Sequence, residues 1–192
     1  MKIGIDIDEV TADFFQPLLE YYNKKYGRND KQEDFEEWKW WPVWGISKEE
    51  AISRADEFHE VHTLEEVKPI EDSINSINEL LESNEIFFIT SRPLKFKNKA
   101  ENWVLHHFGK PIKVINSGDF YKGQAATKAE ICKELKIPVL IEDSGETAVD
   151  CAENGIKVLL FDKPWNKKFS HKNIIRVQGW KEAMRELKNH IE

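Results

Sequence analysis

The sequence contains little cysteine and no long apolar run. Only two of its 192 residues are cysteines, Cys132 and Cys151, too few for a disulfide framework. Both lie in segments with helical periodicity, so we expect buried structural thiols. No stretch approaches the roughly 18–20 apolar residues of a membrane-spanning helix, and the first residues lack a secretory signal pattern. We therefore expect a soluble, cytoplasmic protein.

Positive charge is also scarce. The 28 lysines and arginines are outnumbered by 35 aspartates and glutamates, which gives a formal net charge of -7 at pH 7. Electrostatic binding of nucleic-acid polymers or anionic membranes needs clustered basic residues. The composition argues against both partners, so any phosphorylated ligand must be held by a local site. The sequence does not indicate an oligomeric state.

Short apolar runs alternate with helical patterns over much of the chain. The runs predict strands at residues 2–7, 86–90, 112–115, 138–142 and 156–161, and helices are predicted at 103–108, 127–135 and 146–153. Such alternation is typical of an α/β fold with a doubly wound, Rossmann-like parallel sheet. Ligands of these sheets bind beyond the carboxyl ends of the strands.

Residues 14–85 interrupt this alternation because they contain no convincing buried strand. Pro17 and Gly27 mark the beginning and end of one predicted helix. The sequence Ser47-Lys48-Glu49-Glu50 is a capping box for a second helix, and Asp72 precedes a third. We predict that residues 14–85 form a small helical cap, inserted into a core made of residues 1–13 and 86–192.

The predicted cap is rich in aromatic residues. Four of the seven tryptophans lie between Trp38 and Trp44. They either pack the cap onto the core or stack on a planar substrate group, and the sequence leaves both interpretations open. His59 and His62 lack the spacing of a helical zinc motif, so we interpret them as part of a solvated helix face.

Two acids, Asp6 and Asp8, end the first predicted strand. Side chains alternate along a strand, so both carboxylates are expected on the same side. Two neighbouring carboxylates repel each other unless a cation neutralises them or one of them holds a proton. The pair is therefore a candidate catalytic or metal-binding site, and two solvated acids in a loop are the alternative.

Other predicted strands also end in polar residues. Thr90 and Ser91 follow the second strand, Glu142 and Asp143 follow the fourth, and Lys128 lies in the first turn of a helix that opens with a capping box. Each has an ordinary structural explanation as a turn residue, a helix cap or a solvated charge. Their common position after strands predicts that they gather at one edge of the sheet.

Taken in order, these residues resemble the motifs of the haloacid dehalogenase superfamily of phosphotransferases. The segment DIDEV at residues 6–10 resembles the first motif, Thr90 the second, Lys128 the third, and the acids at 142 and 143 the fourth. An insertion between the first two motifs resembles the superfamily's C1-type cap. The segments FFITSR and IEDSGETA are similar to the C-type 5'-nucleotidase branch, which includes the 5'(3')-deoxyribonucleotidases.

The resemblance implies a magnesium-dependent phosphomonoester hydrolase, most simply a 5'-nucleotidase acting on (deoxy)nucleoside monophosphates. Asp6 would be the nucleophile that forms an aspartyl-phosphate, and Asp8 the general acid and base. Mg²⁺ would be bound by the Asp6 carboxylate, the main-chain carbonyl of Asp8 and Asp143. Thr90, Ser91 and Lys128 would bind the phosphoryl group of the substrate, and Glu142 would tune the metal shell.

One residue departs from the superfamily pattern. Glu9 stands where the first motif usually has glycine, and the backbone N–H at this position normally helps hold the phosphate. A side chain there is expected to alter the turn or to crowd the cap, and another acid beside an anionic substrate is unfavourable unless it points away or meets a cation.

Two further readings stay open. The enzyme could act on a sugar phosphate or another small phosphoester, or the protein could bind a phosphorylated ligand without turnover. A signalling receiver domain also combines acids, a hydroxyl and a lysine on a parallel sheet. It is disfavoured because its phosphoacceptor lies on a middle strand and because it needs no insertion of about 70 residues after the first strand.

Overall fold

A computed structural model describes residues 1–61, 67–117 and 126–191, and these residues form a parallel sheet flanked by helices. The strands are β1 (Lys2–Ile5), β2 (Glu85–Thr90), β3 (Lys113–Asn116), β4 (Val139–Glu142), β5 (Lys157–Phe161) and β6 (Ile174–Val177). Their order in the sheet is β3-β2-β1-β4-β5-β6, and every neighbouring pair is parallel.

Eight α-helices lie within the described residues. They are α1 (Phe15–Tyr26), α2 (Trp40–Trp44), α3 (Lys48–Val61), α4 (Ser73–Leu81), α5 (Lys97–Phe108), α6 (Lys128–Leu135), α7 (Gly145–Glu153) and α8 (Trp180–Ile191). Gly27 ends α1 in the left-handed conformation, with φ of 63°, and so confirms the predicted stop. No described helix combines the length and apolar content that crossing a membrane requires.

Alternating strand residues supply two separate hydrophobic cores. Ile3 and Ile5 of β1 belong to a core shared with α4, α5 and α8. Phe87 and Ile89 of β2 belong to the opposite core, shared with α6 and α7. Because strand side chains point alternately to the two faces, helices cover both sides of the sheet. The predicted doubly wound α/β architecture is confirmed.

The topology fixes the edge at which a ligand binds. From β1 the chain proceeds outward through β2 to β3, then returns to place β4 on the other side of β1. The crevice between the carboxyl ends of β1 and β4 is thus the switch point of the sheet, where open α/β folds bind ligands.

Several elements differ from the sequence prediction. The last strand and helix, β6 and α8, were not predicted. Ile174–Val177 is a short, half-buried edge strand that includes Arg176, so it lacks the continuous apolar run of a central strand. The first strand ends at Ile5 rather than at residue 7, and the predicted helix at 103–108 begins earlier, at Lys97.

The helices α1, α2 and α3 pack together beside the sheet through aromatic side chains. Trp44 stacks on Tyr22 with ring centroids 3.6 Å apart, and Phe15 packs edge-on against Phe35 at 4.9 Å. Helix α4 instead contacts β2, α5 and α8. The division into a cap at residues 14–85 and a core stays a prediction.

Candidate active site

Asp6 stands immediately after β1, at the switch point. Its N–H donates to the Ile141 carbonyl at 2.9 Å, which continues the pairing with β4 by one residue. The Thr11 hydroxyl donates to the Asp6 carbonyl at 2.8 Å, and the Ile7 N–H donates to Asp6 Oδ1 at 2.7 Å. These bonds orient one carboxylate oxygen and leave Oδ2 for other partners.

Lys128 contacts the second carboxylate oxygen of Asp6. Its Nζ lies 2.8 Å from Asp6 Oδ2 and 2.8 Å from Glu142 Oε2, and all three side chains are buried. The predicted capping box places it there, since the Thr127 hydroxyl accepts from the Glu130 N–H at 3.2 Å. Burial alone would lower the pKa of Lys128, but Asp6 and Glu142 together raise it above its ordinary value.

Three buried acids surround this ammonium group. Oxygens of Asp6, Glu142 and Asp143 lie within 4.8 Å of one another. Burial, followed by the charge of Glu142, raises the pKa of Asp6 and the pKa of Asp143. Three carboxylates against one ammonium leave an excess of negative charge in a low-dielectric site. An all-oxygen donor set with this excess fits a hard divalent cation such as Mg²⁺.

Not all of these oxygens are equally available to a cation. Glu142 uses Oε2 for Lys128, and its Oε1 accepts from the Ser144 N–H at 3.0 Å. Asp143 uses Oδ2 to accept from Trp165 Nε1 at 2.9 Å, and its Oδ1 has no hydrogen bond within the described part of the chain. This difference favours Asp143 over Glu142 as a metal ligand.

The residues that anchor Asp143 were missed from the sequence. Trp165 holds the carboxylate, and Asn166 Nδ2 donates to the Asp143 carbonyl at 2.7 Å and to the Phe161 carbonyl at 2.7 Å. Both belong to a short 3-10 helix, Pro164–Asn166, that follows β5. The sequence signal for them is weak: a Trp-Asn pair that begins four residues after the end of β5.

Asp8 is held by a residue that the sequence analysis did not place in the site. Arg92 Nε donates to Asp8 Oδ2 at 2.7 Å, and Arg92 Nη2 donates to Asp8 Oδ1. The Arg92 side chain is only 2% exposed, so the guanidinium is a buried fork that fixes the carboxylate plane.

The polar residues after β2 take different positions. Thr90 is fully buried, and its hydroxyl accepts from the Arg92 N–H at 3.2 Å. Ser91 borders the open space beside Asp6, and its hydroxyl shares a 3.1 Å hydrogen bond with the Ser117 hydroxyl. Of these two residues predicted to bind substrate, Ser91 is therefore the more accessible.

Glu9 adopts a left-handed conformation, with φ of 60°. Its N–H donates to the Ala12 carbonyl at 2.8 Å. Its carboxylate accepts from the N–H groups of Phe14 and Phe15 at 3.0 and 2.7 Å and contacts Lys163 Nζ at 2.8 Å. The side chain therefore meets a cation and the start of α1.

A single cleft joins the acids to the aromatic helices. Its lining combines two groups of residues: the polar residues Asp6, Asp8, Ser91, Arg92, Lys128 and Asp143, and the ring-bearing residues Phe14, Trp38, Trp40, Trp41 and His59. The candidates thus gather at the expected edge. Thr90 and Trp44 do not line the cleft: the Thr90 hydroxyl accepts from the Arg92 N–H, and Trp44 stacks on Tyr22.

His59 differs from its sequence interpretation, which was wrong. It is buried rather than solvated, and it stacks on Phe14 with ring centroids 4.8 Å apart. Burial, and then the charge of Arg92, lowers the pKa of His59 to about 3, so the ring is neutral at physiological pH. His62 lies outside the described residues.

Comparisons with known proteins agree with this geometry. The family described as "5' nucleotidase, deoxy (Pyrimidine), cytosolic type C protein" matches residues 1–189. A nucleotidase of Clostridium acetobutylicum is 25% identical over 95% of this chain and 91% of its own length.

Solved structures share the fold. A haloacid dehalogenase-like hydrolase from Streptococcus pneumoniae superimposes with a TM-score of 0.67 at 16% identity, covering 100% of this chain and 98% of that one. YfnB from Bacillus subtilis, in a form bound to magnesium, has a TM-score of 0.60 at 15% identity, with 97% of each chain covered. The predicted haloacid dehalogenase-like core is confirmed.

Proposed function

We propose that this chain is a magnesium-dependent phosphomonoester hydrolase. The chain belongs to the family of deoxy (pyrimidine), cytosolic type C 5'-nucleotidases, within the haloacid dehalogenase superfamily. Its intermediate is an aspartyl-phosphate on Asp6. The observation that carries this proposal is the cleft itself, in which Asp6 lies at the switch point with Lys128 at 2.8 Å and Asp143 beside it.

The charges of the site suit an anionic substrate once a cation is present. Bound Mg²⁺ would be held by Asp6, the main-chain carbonyl of Asp8 and Asp143, and it would supply the positive charge that lets a phosphate approach a carboxylate. Lys128 then binds the transferring phosphoryl oxygens, with Ser91 as a further donor. The Thr90 hydroxyl accepts from the Arg92 N–H and so helps to position Arg92.

The reaction proceeds in two displacements. An Asp6 carboxylate oxygen bonds to phosphorus while the bond from phosphorus to the leaving oxygen breaks, and Asp8 gives its proton to that oxygen. Water next attacks phosphorus, Asp8 takes the proton from the water, and the bond between Asp6 and phosphorus breaks. Without substrate, Arg92 donates to both oxygens of the Asp8 carboxylate at the wall of the cleft. For the first transfer, one Asp8 oxygen leaves this ion pair and carries a proton taken from solvent, and the second transfer returns that proton to Asp8.

Asp8→Asn should slow both proton transfers and leave Asp6 able to attack. We expect a much smaller loss in the phosphorylation step for p-nitrophenyl phosphate, whose leaving group needs little protonation, than for an alkyl phosphate. Single-turnover kinetics on both substrates measure this difference. Equal losses on the two, in a variant that thermal unfolding shows to be folded, would contradict Asp8 as the acid.

We propose nucleoside monophosphates as the substrate class because aromatic side chains line the same cleft as the acids. Trp38 lies against Trp165 with ring centroids 4.8 Å apart, and Trp40 lies against Trp38 at 5.4 Å. Trp41 is half-buried, lines the cleft and stacks on no other ring among the described residues. Lys48 Nζ lies over the Trp41 ring, 5.8 Å from its centroid, and we propose that a planar base stacks on the face that Lys48 leaves uncovered.

Trp41→Ala should lower kcat/KM for nucleoside monophosphates at least about tenfold, because a base stacked on an aromatic ring gains roughly 1–3 kcal/mol. Activity on a small aliphatic phosphoester should hardly change, since Asp6, Asp8 and Lys128 are untouched. Trp44→Phe is the matched control, because Trp44 stacks inside the cap and does not line the cleft. Steady-state kinetics on both substrate types measure the effect.

The alternatives make different predictions for the same experiments. If Trp41→Ala loses activity equally on both substrate types, or on neither, a sugar phosphate or another small phosphoester replaces the nucleotide as substrate class. A panel of ribo- and deoxynucleoside 5'- and 3'-monophosphates against sugar phosphates then identifies that class. A colorimetric phosphate assay with Mg²⁺ that detects no release from any member would favour a non-catalytic, ligand-binding protein.

A further inference from the structure

Glu9, close to the cleft, combines two features that are each energetically unfavourable. It combines a left-handed backbone, with φ of 60°, and a carboxylate that is only 3% exposed. Residues with a Cβ are disfavoured in this conformation, and burying a carboxylate is costly. Both costs persist only if the side chain makes contacts that glycine could not make.

Those contacts join three separate segments of the chain. Oε1 accepts from the N–H groups of Phe14 and Phe15, where the chain enters α1. These groups have no partner within the helix itself, so a carboxylate there is also favoured by the helix dipole. Oε2 contacts Lys163 Nζ at 2.8 Å, on the segment after β5. Glu9 thus connects the nucleophile loop to the first cap helix and to the Asp143 side of the site.

The pair also lies within electrostatic range of the acid cluster. Lys163 lies 5.8 Å from the Trp165 ring, and Trp165 donates to Asp143 Oδ2. Burial and the Glu142 charge are the main causes that raise the pKa of Asp143; Glu9 raises it further, and Lys163 opposes these effects. An unpaired charge on either residue would therefore change the electrostatic potential at Asp143, a proposed Mg²⁺ ligand.

We propose that Glu9 and Lys163 form a matched positioning pair. Glu9 holds the nucleophile loop against the start of α1, and Lys163 cancels the charge that this contact would otherwise add beside Asp143. The inference rests on the proposed magnesium site, and it concerns two residues that do not touch the reacting phosphate. It explains how the chain replaces a glycine by an acid without making the acidic site still more negative.

The two single substitutions should change Mg²⁺ affinity in opposite directions. Glu9→Gln keeps an acceptor for the helix N–H groups but leaves the Lys163 charge uncompensated, so the Kd for Mg²⁺ should rise about threefold or more. Lys163→Met leaves the Glu9 charge uncompensated, so this Kd should fall by a similar factor, about threefold. The double variant Glu9→Gln/Lys163→Met should bind Mg²⁺ like the wild type. Isothermal titration calorimetry with MgCl₂ measures all four proteins without substrate.

Matched variants separate charge from structure. Lys163→Arg keeps the charge and should retain the wild-type affinity for Mg²⁺. If Glu9→Gln does not fold, the difference in this affinity between Lys163→Arg and Lys163→Met tests the role of the charge. Glu9→Ala removes the acceptor and should unfold at a lower temperature than Glu9→Gln, because the Phe15 N–H loses its partner and the Phe14 N–H keeps only the Ala12 carbonyl at 3.0 Å. Weaker Mg²⁺ binding in both Glu9→Gln and Lys163→Met would overturn the charge-matching role and leave the proposed function intact. Absence of Mg²⁺ binding by the wild type would overturn the metal-dependent function itself.

Discussion

Asp6→Asn should reduce Mg²⁺-dependent hydrolysis by about 10⁴-fold or more, since it removes the carboxylate that we propose forms the covalent intermediate. The variant should still fold, because an amide of the same shape replaces one of three mutually repelling buried acids. Steady-state phosphate release measures the loss, and thermal unfolding measures the stability.

A matched control separates this loss from a general effect of removing an acid. Asp150 lies on α7, outside the cleft, and its carboxylate accepts from Asn154 Nδ2 at 3.2 Å. Asp150→Asn should retain near wild-type activity. An Asp6→Asn protein that stays within tenfold of the wild type would rule out the proposed covalent mechanism.

Lys128→Met should impair both catalysis and stability. The substitution keeps much of the side-chain volume but removes the ammonium that lies 2.8 Å from both Asp6 and Glu142. Breaking a buried ion pair by removing one partner costs about 3–5 kcal/mol, so the metal-free variant should unfold much more readily than the wild type. Activity should fall by about 10³-fold, the scale of losing a transition-state charge stabiliser.

Denaturant unfolding with and without Mg²⁺, together with steady-state kinetics, tests this expectation. Mg²⁺ should recover part of the lost stability, because it replaces some of the missing positive charge. Lys133→Met is the control on the same helix: the exposed Lys133 Nζ donates to Asn154 Oδ1, away from the acid cluster. If Lys128→Met and Lys133→Met have equally small effects on both quantities, Lys128 has no role in the site.

The sequence predicted the central sheet and the edge of the sheet at which the candidate residues lie because both depend on local patterns. A buried parallel strand is a continuous apolar run, and the residue that ends it is visible directly in the sequence. Asp6, Ser91 and Asp143 could therefore be assigned to one edge of the sheet by their positions in the sequence. The edge strand β6 lacked such a run, and it was missed together with α8, although α8 buries Trp180, Ala183 and Leu187 at helical spacing.

The contacts that tune the site depend on residues far apart in the chain. Arg92 is 84 positions from Asp8, and Lys163 is 154 positions from Glu9. No local periodicity reports such pairs, because they arise only when strands and loops meet at the edge of the sheet. The prediction for His59 was wrong for a similar reason: burial of one helical face depends on what packs against it, and here Phe14 and Phe96 cover the ring.

The most direct test of the account is to trap the intermediate on Asp6. Asp8→Asn should form the aspartyl-phosphate from p-nitrophenyl phosphate and hydrolyse it slowly, because the water is no longer deprotonated. Acid quenching of the single-turnover reaction, followed by peptide mass spectrometry, locates the phosphoryl group. The account predicts a phosphorylated Asp6 that requires Mg²⁺ and is absent from the double variant Asp6→Asn/Asp8→Asn. Complete p-nitrophenol release by Asp8→Asn with no phosphoryl group on Asp6 at any time point would contradict it.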